Sequence, residues 1–152
     1  MIYDKFESFQ DALNFFLFVC RNTYVEWSFQ GFYDTTDDSI KYVIATYQSK
    51  EIAPNLDIME MRLDFNYIKL LFDIHSHPDN STNNPSPPSI FDHDYFNYAQ
   101  GEYPDQLPQL FHVYDSYSEY IFSFDSLKVV RHTENISDFI KSIQKSRIRE
   151  IG

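Results

Sequence analysis

A single cysteine, Cys20, stands among the 152 residues of this chain, so no intrachain disulfide can form. It lies in an apolar run with no histidine or carboxylate close by in sequence, and reads as a buried small hydrophobe. Basic residues are also few. Twelve Lys and Arg face 23 Asp and Glu, a formal net charge of -11. That balance repels phosphate backbones, so nucleic acid is disfavoured as a partner, and it leaves no polybasic anchor for a membrane. Four basic residues, Lys141, Lys145, Arg147 and Arg149, gather near the end of the chain. They are expected on the solvated face of a helix, close to its negative dipole end. Long apolar runs are missing as well. Ala12 to Cys20 is too short to span a bilayer. The residues before it are acidic (Asp4, Glu7, Asp11), where a signal peptide would be basic. A cytoplasmic protein, or a payload delivered by a secretion system, fits this pattern.

What the chain does have is rings: 15 Phe and 12 Tyr, within a hydrophobic fraction of 43%. These are expected to build the core and the sheet surface. The length suits one domain over residues 1–152, large enough to bury a core without a disulfide or a structural metal. A metal would therefore serve chemistry.

The apolar spacing of Phe6, Phe9, Leu13, Phe16 and Leu17 predicts a helix from Phe6 to about Cys20. Phe15, Phe18 and Val19 widen its face and predict burial on most sides. Tyr24 to Tyr33 and Lys41 to Gln48 read as a β-hairpin. Asp57 to Phe65 and Ile68 to His77 read as further strands. Asp79 to Pro88 is a polar, proline-rich loop, and Ser89 to Gln100 a helix. Leu110 to Tyr117, Tyr120 to Phe124 and Leu127 to His132 are strands, and Ile136 to Ile151 a closing helix. No internal repeat is present. The order predicts an α+β domain whose mixed, largely antiparallel sheet is flanked by helices.

The chemistry concentrates in Asp73-Ile74-His75-Ser76-His77-Pro78 and Ser89-Ile90-Phe91-Asp92. Residues two apart on a strand project from one face, so His75 and His77 can share a metal. Asp92 would approach from the first turn of the next helix, leaving a fourth position for water. Glu26 is the candidate general base, a carboxylate among Val25, Trp27 and Phe29, with Glu51 and Glu60 as competitors. Ser89 can donate to a developing oxyanion. His93 or Asp94 can substitute for Asp92, whereas His112 and His132 read as ordinary strand residues. Taken singly, each element has a plainer reading: a chance His-x-His, a helix cap at Ser89, an edge charge at Glu26.

Together these residues resemble the JAMM (JAB or MPN-plus) zinc peptidases, whose pattern is an early-strand glutamate, His-x-His-Pro, a short loop and Ser-x-x-Asp. The resemblance implies an MPN/JAB-like fold with a cytidine-deaminase-like layout. It implies Zn2+ held by His75, His77 and Asp92, with Glu26 as general acid/base and Ser89 as oxyanion donor. Two departures stand out. Eleven residues separate His77 from Ser89, and Trp27, Ser28, Phe29 and Gln30 intervene before Gly31, where the family often has a small residue sooner. The compact body is similar to the JAB-like toxin domains of bacterial polymorphic toxins.

The function implied is a metallopeptidase or isopeptidase acting on a protein or peptide, such as a ubiquitin-like tail, with an inhibitor or immunity protein as a further partner. The alternative is a non-catalytic MPN-like interaction module, which metal content would separate. A metal-dependent phosphoesterase or nuclease using His75, His77, Asp92 and Asp94 would want a basic groove, which the net charge opposes.

Overall fold

The computed structural model describes residues 1–50, 53–54, 68–78, 90–102, 111–124 and 128–151. Their elements are β1 (Ile2–Phe6), α1 (Phe9–Asn22), β2 (Ser28–Asp34), β3 (Ser39–Thr46), β4 (Ile68–His77), α2 (Ile90–Glu102), β5 (Phe111–Asp115), β6 (Ile121–Phe124), β7 (Val129–His132) and α3 (Ile136–Ile151). The strands form one sheet in the order β1-β3-β2-β4-β5-β6-β7. Its described pairs are antiparallel except β4 with β5, which run parallel on either side of α2. The fold is α+β with a mixed, largely antiparallel sheet, as the sequence predicts. The expected strand at Asp57 to Phe65, the loop Asp79 to Pro88, and Glu51, Glu60 and Ser89 lie outside the described residues.

Side chains alternate between the two faces of each strand. Along β3, Tyr42 and Ile44 join a core with α1 and α3, while Val43 and Ala45 join a core with α2. The first core is largely aromatic: Phe16, Phe29, Phe72 and Tyr42 pack with ring centres 5.1 to 6.3 Å apart. Leu70, Phe96, Phe111, Val113 and Phe124 fill the second. Gly31 marks a register shift between β2 and β4, and a methyl group there would strike the Phe72 ring. A glycine permits that close approach.

Several sequence expectations are corrected. The first helix begins at Phe9, because Ser8 caps it by accepting a hydrogen bond from the Asp11 amide. Phe6 belongs instead to β1 and pairs with Tyr42. Nor is α1 buried on most sides: it buries Ala12, Leu13, Phe16, Val19 and Cys20, while Phe18 is 62% exposed. On α3, Lys141, Lys145 and Arg149 are solvated, but Arg147 turns inward. Its Nε donates to the Leu70 carbonyl at 3.2 Å and pins the helix to the start of β4.

Candidate metal centre

The C-terminal end of β4 carries the site. Alternation puts His75 and His77 on the α2 face of the sheet, ring centres 5.1 Å apart, and turns Ser76 to the α1 face. Asp92 sits in the first turn of α2 and reaches both imidazoles. Its Oδ1 lies 3.0 Å from His75 Nε2 and its Oδ2 lies 3.4 Å from His77 Nε2. Of the two neighbours that could replace it, Asp94 is exposed and His93 packs edge-on against Phe124.

Glu26 precedes β2 by two residues, rather than lying on the strand as the sequence suggests. It is nevertheless fixed in place. The register that sets Ser28 opposite His75, continued by two residues, sets Glu26 opposite His77. Its amide donates to the Ser49 carbonyl at 2.7 Å, and its carbonyl accepts from Thr46 Oγ1 at 2.7 Å. The next amide, that of Trp27, donates to Ser76 Oγ at 2.9 Å, while the Ser76 amide donates to the Trp27 carbonyl at 2.8 Å. The middle residue of His-Ser-His thus stitches the Glu26 segment to the histidine strand from the opposite face. Thr46 and Ser76 escape sequence reasoning because their partners are distant in the chain. The alternation of Ser76 away from the two histidines is the one sequence signal for its role.

Glu26 Oε1 stands 4.0 Å from His75 Nε2. One ligand atom each from Glu26, His75 and His77 falls within 4.8 Å of the others. Asp92 stands closer to the two rings than Glu26 does, through a different oxygen to each.

The residues present fit a zinc-sized ion. Metal–ligand bonds of about 2.1 Å in a tetrahedron set donor atoms about 3.4 Å apart, close to the imidazole–carboxylate separations here. His75 Nε2 is buried and meets Asp92 Oδ1 at 3.0 Å in an ionic contact. Burial acts to lower the His75 pKa, but the carboxylates of Asp92, Glu26 and Asp73 outweigh it and push it up to about 9. The surroundings of this imidazole favour positive charge, as a dication would supply.

The other sequence candidates lie elsewhere. His112 is buried on the opposite face against Phe139, its Nδ1 3.3 Å from the Asp73 carbonyl. Burial pulls its pKa down to about 3. His132 stacks on the same phenylalanine. Cys20 is buried, which pushes its thiol up to about 12 and leaves no thiolate for chemistry at neutral pH.

A family model described as JAB-like toxin 1 matches residues 5–103, a span that runs from within β1 to just past α2 and includes Glu26, His75, His77, Ser89 and Asp92. No curated protein and no solved structure matches the chain.

Proposed function

This chain belongs to the JAB-like toxin 1 family, and we propose that it hydrolyses an amide bond, peptide or isopeptide, in a protein substrate, with zinc in the site on β4 and α2. The observation that carries this reading is the placement of Asp92 against both imidazoles with the Glu26 carboxylate beside them. His75, His77 and Asp92 would hold the ion. When bound, zinc supplies a Lewis acid and makes water a nucleophile at neutral pH.

The chain's own residues then manage the proton. Glu26 takes it from the attacking water as the oxygen bonds to the carbonyl carbon. It returns the proton to the amide nitrogen as the carbon–nitrogen bond breaks. Its backbone is anchored on both sides, by Ser49 and Thr46 and through Trp27 by Ser76, so the carboxylate needs little reorganisation. Ser89 would donate to the oxygen that becomes negative. An extended tail, ubiquitin-like or unfolded, suits such a site, and the acidic surface favours a basic substrate face or a basic immunity partner. Among the described residues no helix is long and apolar enough to cross a membrane. The setting proposed is the cytoplasm, or delivery by a secretion system.

The test joins elemental analysis to a cleavage assay on isopeptide-linked ubiquitin-like chains and unfolded proteins. Wild type should carry one zinc per chain, and Glu26→Gln should keep that zinc while losing about 100-fold or more of the hydrolysis rate. Full activity in Glu26→Gln would remove Glu26 from the mechanism. A chain purified without zinc, and unable to take it up, would favour the interaction module.

A further inference from the structure

Phe124, the last residue of β6, is fully buried in the core on the α2 side of the sheet. Its ring meets four others. Phe111 on β5 and Phe96 on α2 are apolar core partners, with ring centres 6.3 and 6.4 Å away. The other two partners are histidines. His75 packs against it at 6.3 Å and 82°, and His93 at 5.6 Å and 74°. Both are edge-on contacts at separations where ring pairs attract. One buried ring thus touches a proposed ligand on the sheet and, on the helix, the immediate neighbour of the proposed ligand Asp92.

Strand alternation brings His75 to the right face but does not fix the plane of its ring. The second side-chain torsion of a histidine is broad and two-fold, so neighbours must select it. His75 has two ring neighbours, His77 at 5.1 Å and Phe124, which stands nearly perpendicular to it. The same phenylalanine bears on α2 through His93 and Phe96, which share one face of that helix at i and i+3. Asp92 belongs to the first turn of α2. Its 3.0 Å approach to His75 therefore depends on what that turn rests upon. Phe124 lies beyond residues 5–103, the span of the family match, so this support comes from a strand that follows the matched segment.

We infer that Phe124 is a positioning residue of the metal centre: a rigid ring from β6 that holds the plane of the His75 imidazole and the seat of Asp92 on α2, and so sets the affinity for a divalent cation. This rests on the proposed metal centre. Residues outside the coordination sphere tune a site by orienting its ligands. Ligands stay within about 0.5 Å of their working geometry when packing locks their rotamers. An aliphatic side chain at position 124 would keep the core apolar but leave the imidazole freer to turn.

Zinc affinity of the full chain, measured by competition with a fluorescent chelator well below the thermal midpoint, tests the inference in wild type, Phe124→Leu and Phe111→Leu. Phe111 is the control. It is buried in the same core and packs on Tyr95, Phe96 and Phe124, with no histidine among its ring contacts in the described residues. Both substitutions should lower the thermal midpoint of the metal-free chain. Phe124→Leu should also weaken zinc binding by about 10-fold or more, and Phe111→Leu should leave it unchanged. Equal weakening in the two variants would make core packing the cause and overturn the positioning role. If Phe124→Leu does not fold, Phe124→Met decides, because methionine fills irregular space without a flat ring. Weaker zinc binding than in Phe111→Leu then supports the inference, and binding equal to it overturns it. A wild-type chain that binds no zinc refutes the metal centre itself. Zinc bound equally by wild type and Phe124→Leu refutes the role of Phe124 alone.

Discussion

Removing the Ser76 hydroxyl is expected to reach Glu26 without touching it. Ser76→Ala leaves the buried Trp27 amide without its acceptor, a loss of about 1–3 kcal/mol of stability by chemical denaturation. The proposed metal ligands stay intact, so kcat should fall while metal content does not. His77→Ala acts in the opposite way. It should abolish stoichiometric zinc, checked by elemental analysis, and leave the far-ultraviolet circular dichroism unchanged, because His77 lies outside both apolar cores. His112 gives a pH signature. Burial holds its folded pKa near 3, against about 6.5 in the unfolded chain. Below pH 6.5 the unfolded chain binds a proton that the folded chain refuses. The stability gained by keeping this imidazole neutral is full above pH 6.5 and is lost as pH falls towards 3, by up to about 1.4 kcal/mol per pH unit. Urea unfolding at pH 7, 5.5 and 4 should show a shallower decline for His112→Leu than for wild type. Equal slopes would mean that His112 is protonated in the folded protein.

Gly31→Ala tests packing between elements. A methyl group at the register shift between β2 and β4 would press on the Phe72 ring, and the variant should lose about 1–3 kcal/mol in denaturant unfolding. Elements with strong internal periodicity were legible from the chain itself: β4 and α3 have the bounds that their apolar patterns predict. So was the pairing of His75 with His77, which needs no more than strand alternation, and the approach of Asp92 from a helix start. What escaped depends on partners far away in sequence. β1 is an edge strand exposed along almost its whole length, so it carries no alternation to read. Arg147 looks like its solvated neighbours until the Leu70 carbonyl appears opposite it. Asp73 looks like a charge at random in a hydrophobic strand until Gln30 is set across from it.

For the whole molecule, two apolar cores lie on either side of one sheet; the histidine site borders the second, with His75 edge-on to Phe124, but neither is built on it. Stripping the metal with a chelator should therefore lower the thermal midpoint by removing binding free energy from the folded state alone. The secondary structure should survive, a pair of outcomes that calorimetry and circular dichroism check on one sample. The parallel pairing of β4 with β5 has a consequence in time. Like β1 with β3 and β2 with β4, this pair closes a long intervening segment, here the chain between His77 and Phe111, whereas the other described pairs are joined by short connections. Closing that loop costs entropy before its contacts repay it, so such contacts form late. Asp92 travels on the crossover helix. In a refolding experiment, the ability to capture zinc should thus appear after the β2–β3 hairpin has formed.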